Sequence, residues 1–263
     1  MLKHLLLCSL LALAAAASAT DLQTAQEIED CVSGSMPDTT SVQTITFKVK
    51  DRIGAVVETK AKIHAKKFED GLSKLMIRFF LPADLRGAGL LMLEKEKEEF
   101  ADMFIYLPEL RRTKRVTTRM VSGSMFGTDF SYEDFERLQG FVNDAASERL
   151  EDAEIDGKQV YVIQTRPSED SGSGYQRVVQ YVDREMCVPL KTELFEREER
   201  PRKVMTTDRS AVTREGESWI PRLVLMRDLR DETETKLVIE EVEVGGEIRQ
   251  KMFSQSELER GGH

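Results

Sequence analysis

The chain has 263 residues, and 38 Lys and Arg residues against 47 Asp and Glu residues give it a formal net charge of −9 at pH 7. This acidic balance argues against nucleic acid or an anionic lipid surface as the main partner. With 40% apolar and 32% charged residues the composition is that of a folded protein, long enough for one large β domain or two smaller ones.

The first 19 residues are typical of a secretory signal peptide. A short basic start precedes an apolar run, and Ala17-Ser18-Ala19 supplies the small-x-small pattern that signal peptidase accepts. The run is too short for a comfortable membrane span, and Cys8 lies too near the start to serve as a lipidation site. We therefore predict cleavage after Ala19 and a single mature domain over residues 20–263.

The first half of the mature chain reads as one helix followed by strands. Residues 22–32 have apolar positions at helical spacing, and Ser33-Gly34-Ser35 is expected to end that helix. Alternating apolar and polar residues then predict a series of β-strands, and the charged stretch at 94–99 is predicted to be a solvated hairpin tip. The predicted strands cover residues 41–50, 55–68, 72–81, 88–93 and 103–107.

The second half continues this pattern after one interruption. Residues 112–115 are predicted to start another strand, whereas residues 120–139 break the pattern and end in a short helix. Asp156-Gly157 between two alternating runs is the strongest hairpin signal in the chain. Further strands are predicted at 153–155, 159–165, 175–183, 189–197, 203–212, 218–227 and 235–244, with a flexible loop at 168–174 and a short last element at 253–258.

Ten or more strands joined mostly by short turns describe an antiparallel meander. Strands without intervening helices exclude a parallel α/β sheet. A large twisted sheet curls and leaves a concave apolar face that needs a cover. The predicted fold is therefore mainly β, an incomplete antiparallel β-barrel (half-barrel) with a few covering helices and a cavity suited to an apolar ligand.

The sequence contains none of the common catalytic or cofactor motifs. His64 has no second residue at metal-ligand spacing, and neither a Gly-x-Ser-x-Gly elbow nor a phosphate-binding loop occurs. We therefore predict no catalytic residue, no metal and no cofactor. The abundant carboxylates leave a carboxylate-based hydrolase as the enzymatic alternative.

Two cysteines remain in the mature chain, Cys31 and Cys187. In an oxidising compartment they can form one disulfide, and otherwise they are two buried thiols that behave as small apolar residues. The spacing alone does not decide between these alternatives.

A basic segment stands out in this acidic chain. It is either a charged edge strand that resists aggregation or a patch that docks on a partner or a lipid head group. The segment consists of Arg111, Arg112, Lys114 and Arg115.

Two further segments carry a resemblance to a known family. FIYLPELRR at residues 104–112 and SMFGTDFSYED at residues 124–134, together with their spacing, resemble bacterial outer-membrane lipoprotein-sorting proteins of the LolA-like type. The resemblance implies a periplasmic protein in which helices close a half-barrel over a hydrophobic cavity. It also implies a carrier that catalyses no reaction and takes lipoprotein acyl chains, or another lipid, towards the outer membrane.

The same resemblance supplies an alternative function, since members often accompany exporters of the resistance-nodulation-division class. In that reading the chain is a non-catalytic accessory subunit that docks on an inner-membrane exporter through the basic segment. The carrier in turn needs an outer-membrane acceptor.

Strand alternation predicts which residues line the cavity. An acyl chain in water exposes methylenes that each gain about 0.8 kcal/mol on burial, so a carrier needs an apolar lining. A one-residue slip in register would invert the assignment of any strand. The lipid-binding candidates are Ile45, Phe47, Val49, Val57, Ile63, Leu75, Ile77, Phe79, Leu91 and Leu93.

Overall fold

The computed structural model describes residues 21–96, 100–141 and 146–260. The predicted signal peptide lies outside the described residues, and the predicted charged tip at 94–99 lies partly outside them. The described residues form sixteen β-strands, three α-helices and four short 3-10 helices.

The strands follow the predicted series closely. Their bounds are β1 Thr40–Lys50, β2 Val56–Lys67, β3 Ser73–Leu81, β4 Gly89–Leu93, β5 Asp102–Leu107, β6 Arg112–Arg115, β7 Ala146–Arg149, β8 Ala153–Ile155, β9 Lys158–Arg166, β10 Arg177–Asp183, β11 Pro189–Phe195, β12 Lys203–Thr207, β13 Val212–Glu215, β14 Ser218–Pro221, β15 Leu223–Asp228 and β16 Thr233–Val244.

Fourteen of the strands form one antiparallel sheet. Its order is β6-β5-β4-β3-β2-β1-β16-β15-β12-β11-β10-β9-β7, with β8 also paired to β9. β13 and β14 form a separate two-stranded sheet. The two halves of the chain are thus two meanders joined where β1 pairs with β16, and the curved sheet stays open because β6 and β7 do not pair with each other. The predicted half-barrel is confirmed.

The helices are α1 Ala25–Ser35, α2 Tyr132–Leu138 and α3 Gln255–Arg260. A capping box fixes the start of α1, because the Thr24 side chain accepts a hydrogen bond from the Glu27 backbone N–H while the Glu27 carboxylate accepts from the Thr24 N–H. The helix ends at Ser35, within the predicted Ser33-Gly34-Ser35 stop, and begins three residues after the predicted start at 22.

Three other predictions need adjustment. The predicted strand at 203–212 divides into β12 and the first residue of β13, and the one at 218–227 divides into β14 and most of β15. The predicted flexible loop contains the 3-10 helix Glu169–Ser171, and its far end is hydrogen-bonded to the Glu133 side chain. The predicted loop is therefore attached to α2.

The sheet has an inner and an outer face. We call residues 116–141 the cover segment, and the inner face is the one on which that segment packs to form the main core. The outer face of β3 to β5 is covered by the C-terminal segment, whose Ile248, Phe253 and Leu258 pack on that part of the sheet. The Arg78 guanidinium anchors α3 there by donating to the carbonyl oxygens of Glu257 and Leu258.

A disulfide joins Cys31 in α1 to Cys187 in the turn between β10 and β11, with their Cα atoms 5.5 Å apart. Ala25 and Ile28 pack the same helix against Tyr161, Ile163 and Val182. Of the two alternatives for the cysteines, the bonded one is realised, and it fixes α1 at one end of the sheet.

The register of β1 and β2 defines two ends of the sheet. At the mouth end Thr40 pairs with Lys66, and at the tip end Lys50 pairs with Val56. Since β1 contains the 11 residues from Thr40 to Lys50, these ends lie roughly 33 Å apart at about 3.3 Å per residue step.

Candidate functional site

An apolar cavity of about 270 Å³ opens at the mouth end of the sheet, and we call it the mouth cavity. Its volume is close to the lower end of the roughly 300–1,000 Å³ that small-molecule sites occupy. The floor is formed by inner-face side chains of five strands: Ile45, Ile63, Ala65, Met205, Val224, Leu237 and Ile239.

Three separate pieces of chain cover this floor. The end of α1 contributes Val32 and Met36, the end of α2 contributes Leu138 and Phe141, and the β13–β14 sheet contributes Trp219. Charged side chains also join the lining: Asp38, Lys66, Lys67 and Glu94 reach solvent, whereas Arg137 is buried. The cavity therefore combines an apolar interior with a polar entrance, the arrangement that an amphipathic ligand needs.

Aromatic side chains fill the rest of the inner face. Phe47 lies 6.1 Å from Phe130 and 6.5 Å from Phe135, measured between ring centroids, and Phe79 lies 4.4 Å from Phe126. Phe126, Phe130 and Phe135 belong to the cover segment, so the cover itself plugs the part of the half-barrel nearer the tip end. The mouth cavity lies on the part of the inner face that these rings do not fill.

The ten predicted lining residues therefore occupy different places in the structure, and only some of them line the mouth cavity. Ile45 and Ile63 line the mouth cavity. Val49 is half-buried and lies in neither the cavity nor the core. Four others are buried in the main core and do not line the cavity, namely Phe47, Leu75, Ile77 and Phe79.

Three of the predicted lining residues are misplaced. Val57 lies beyond the cover and is 58% exposed. Leu91 and Leu93 point to the outer face, where they pack against the C-terminal segment, while Leu90 and Met92 occupy the inner face. The run at β4 is apolar on both faces, and alternation therefore could not fix its register.

Several lining residues were not predicted. Leu237 and Ile239 follow the same two-residue period along β16 as the candidates do along β1, so this signal was available in the sequence. Trp219 and Val32 carried no such signal, because they reach the cavity from covering elements rather than from the sheet.

Helix α2 holds the cover on the sheet through buried polar contacts. Ser131 and Asp134 form its capping box. The Asp134 carboxylate also accepts hydrogen bonds from Lys203 Nζ at 2.9 Å and from the Tyr175 hydroxyl at 2.8 Å. Lys203 donates as well to the Asp129 carbonyl oxygen at 2.8 Å. This buried ion pair ties the cover segment to β12.

Two further carboxyl groups of α2, those of Glu133 and Glu136, are also buried. Burial, together with the neighbouring Asp134 carboxylate, raises the pKa of Glu133 to about 7, although Ser173 and Gly174 donate hydrogen bonds to it. Burial raises the pKa of Glu136 to about 8, against the lowering effect of the Ala101 N–H and of Arg137. At neutral pH Glu136 is therefore mostly a neutral acid.

The basic segment lies at an edge of the sheet. Arg112, Lys114 and Arg115 belong to the edge strand β6, and Arg111 precedes them in a left-handed backbone conformation with φ of 45°. Arg115 forms an ion pair with Asp102. The other three form no ion pair within the described part of the chain and are exposed.

His64 sits in β2 with Nδ1 buried and without a hydrogen-bond partner among the described residues, and burial lowers its pKa. No group of three His, Cys, Asp or Glu side chains in residues 21–96, 100–141 and 146–260 could hold a metal ion. None of the helices in these ranges is both long and apolar enough to cross a membrane.

Several solved structures share this fold. A Vibrio parahaemolyticus domain assigned to the outer membrane lipoprotein-sorting proteins has a TM-score of 0.79 at 22% identity, over 89% of this chain and 97% of its own. A DUF1329 family protein from Desulfovibrio piger has 0.80 at 20% identity, over 89% and 98%. A LolA superfamily protein from Nitrosomonas europaea has 0.70 at 18% identity, over 90% and 100%.

The chain therefore has the LolA-superfamily fold, as the two segments at 104–112 and 124–134 predicted. A protein-family model described as "-like: Uncharacterized protein" matches residues 71–260, and the chain belongs to that family. A comparison with curated proteins gives no match.

Proposed function

We propose that this chain is a periplasmic carrier that binds lipoprotein acyl chains, or another lipid, in the mouth cavity and transfers them towards the outer membrane. The observation that carries the proposal is the cavity itself. Its floor is apolar over five strands, while its entrance carries Lys66 and Lys67 beside Asp38 and Glu94. Acyl methylenes gain about 0.8 kcal/mol each in such an interior, and a phosphate or carboxylate head group would meet the cations outside.

Two other observations support parts of this proposal. The Cys31–Cys187 disulfide suits an oxidising compartment such as the periplasm. The cover consists of three separate pieces around one opening, so movement of one piece enlarges the cavity without unfolding the sheet. The proposed carrier performs no catalysis and needs no cofactor.

The test begins with protein purified from its own host. Lipid extraction and mass spectrometry are expected to detect bound lipid, and the emptied protein is expected to bind a fluorescent fatty acid. Protein that is consistently free of lipid and rejects acyl probes would contradict the proposal.

A matched pair of variants locates the binding site. Ala65→Phe places an aromatic ring in the cavity floor and is expected to weaken binding of the probe at least about tenfold. Ala83→Phe adds the same ring at an exposed turn residue and should leave the affinity unchanged. Equal affinities of the two variants, with unchanged melting curves, would show that the probe binds elsewhere.

A second candidate function is that of an accessory subunit that docks on an exporter of the resistance-nodulation-division class. The observation in its favour is the exposed basic segment on the edge strand β6. Charge reversal of Arg111, Arg112, Lys114 and Arg115 would then abolish co-purification with the exporter, whereas reversal of the exposed Arg197 and Arg200 would not. Co-purification that survives the first set of changes excludes this docking mode.

A further inference from the structure

The sheet ends at β6 without a further strand beside it. β6 is the first strand in the sheet order and pairs only with β5, while α3 packs near it on the outer face. Arg112, Lys114 and Arg115 are exposed, and Thr113 is half-buried. Within the described part of the chain, the side of β6 that faces away from β5 therefore has no strand paired to it.

The register of β5 and β6 shows which backbone groups point away from the sheet. Met103 stands opposite Val116, and the Val116 N–H donates to the Met103 carbonyl oxygen at 2.8 Å. Hydrogen-bonded and non-hydrogen-bonded pairs alternate along an antiparallel ladder. Lys114 thus bonds to β5, whereas the N–H and C=O groups of Thr113 and Arg115 point outwards. Those groups have no hydrogen-bond partner among the described residues.

The side chains of β6 divide between the two faces of the sheet. Thr113 pairs with Tyr106, which packs on the outer face, whereas Lys114 pairs with Ile105 of the main core. Because successive side chains of a strand point to opposite faces, Arg112 and Lys114 share the inner-face side and lie roughly 6.6 Å apart along the strand. A strand added beside β6 would place every second side chain next to these two cations.

No acid belongs to β6, and its partners in β5 are the uncharged residues 104–107. Asp102 near the end of β6 is paired with Arg115 and Lys95, and Glu257 of α3 is paired with Arg260. The loop at 168–174 comes close to the chain just after β6, at residue 118. Acids without an ion pair in the described neighbourhood of β6 are Glu109, Glu169, Asp170 and Glu259. None of these stands in the sheet, so a strand paired directly with β6 would meet only its cations.

These features decide between the possible occupants of the edge. β6 of a second copy would bring like charges opposite one another, which destabilises strand pairing. A bilayer surface is larger than the strand and meets the neighbouring acids too, in a protein whose net charge is −9. An acidic strand matches both the cations and the outward backbone groups, because charges directly opposite each other in a sheet interact most strongly.

We propose that β6 is the docking strand for an extended acidic segment of a partner protein, which adds to the open edge of the sheet as a further β-strand. The segment carries Asp or Glu at alternate positions beside Arg112 and Lys114, and it bonds to the outward backbone groups of Thr113 and Arg115. The inference does not depend on what the mouth cavity binds. Where the partner is the exporter of the second candidate function, the inference rests on that function and gives its docking mode.

The first test titrates the mature protein with a short synthetic peptide of Thr and Val residues that has Glu at every second position. We expect the NMR signals of the Thr113 and Arg115 amides to shift, and hydrogen exchange at these two amides to slow. The same peptide with Lys in place of Glu should bind at least about tenfold more weakly. A peptide that keeps its Glu residues but has a methylated backbone cannot donate hydrogen bonds, and it should lose at least about tenfold as well.

The second test changes the strand itself. Thr113→Pro removes an outward N–H without breaking a bond to β5, at a position where edge strands accept proline, and it should weaken peptide binding at least about tenfold. Thr113→Val keeps that N–H and should bind like the wild type. Arg112→Glu with Lys114→Glu should also abolish binding, whereas reversal of the exposed residues 197 and 200 should leave the affinity unchanged.

Four results would overturn the proposal. They are a wild type that does not bind the acidic peptide, equal binding of the methylated peptide, binding to phosphatidylglycerol vesicles without binding to the peptide, and a dimer of the protein that Thr113→Pro dissociates. Ala65→Phe should bind the peptide like the wild type, which separates this result from that of the carrier test. Peptide binding without a co-purifying exporter would remove only the second candidate function.

Discussion

Glu136 makes the stability of the cover dependent on pH. Its carboxyl group has no exposed surface, and Oε1 accepts a hydrogen bond from the Ala101 N–H. Oε2 has no hydrogen-bond partner among the described residues. Burial raises the pKa from the model-compound value of 4.5 to about 8, so the folded protein keeps this proton at neutral pH and the unfolded chain does not.

The sign of the effect follows from proton linkage. Below pH 4.5 the group is protonated in both states, and folding is independent of its titration. Between 4.5 and about 8 the folded state binds one proton more, so the free energy of unfolding falls by about 1.4 kcal/mol per pH unit. Over the three units from about pH 5 to 8 the loss is about 4 kcal/mol from this group alone.

The perturbation is Glu136→Gln, which keeps the size and the acceptor for the Ala101 N–H and removes the titration. The free energy of unfolding is measured by urea denaturation at several pH values in this range. We expect the slope of the variant to be less negative than that of the wild type by about 1.4 kcal/mol per pH unit. Part of the decline remains in the variant, since the pKa of Glu133 is raised to about 7 for the same reason.

The matched control is Glu151→Gln, which neutralises an exposed glutamate outside the cover. Its stability is expected to follow the wild-type curve. If Glu136→Gln also follows the wild-type curve from pH 5 to 8, Glu136 is ionised in the folded protein and the reasoning from burial is wrong.

Two further changes test the attachment of the cover. Lys203→Met leaves the Asp134 carboxylate buried without its cation and should lower the free energy of unfolding by about 3–5 kcal/mol. The double variant with Asp134→Asn should recover part of this loss. If it recovers none, the two residues do not act as a pair. Replacing both Cys31 and Cys187 by Ser opens a link across 156 residues and should cost about 2–5 kcal/mol in urea unfolding, whereas reductant should then have no additional effect.

The sequence predicted the strands well because half-buried strands show a two-residue period. It could not find the register of β4, where Leu90 and Met92 face the cover segment while Leu91 and Leu93 face the C-terminal segment. A strand that is covered on both faces has apolar residues at every position, and the period disappears. Val57 shows the opposite case. It follows the two-residue period of β2, but the cover segment does not reach it, and its side chain is exposed.

Which part of the inner face stays open depends on residues distant in sequence. Alternation treats Phe47 and Ile45 alike, but Phe47 is packed by Phe130 and Phe135, whereas Ile45 faces the mouth cavity. The cover segment comes from a stretch without a regular period. Its position depends on the buried Asp134–Lys203 pair, which local patterns do not reveal.

By itself the amino-acid sequence determined the class of fold, the hairpin at Asp156-Gly157, the short helix that became α2, and the likeness to LolA-type proteins. These follow from local periodicity, turn chemistry and two short segments. The tertiary structure alone decided that Cys31 bonds to Cys187, that β1 joins the two meanders through β16, and that a cavity with an apolar floor opens at the mouth end. Those features depend on contacts between residues up to about 200 positions apart, and their geometry is set by packing of the whole sheet rather than by any local sequence preference.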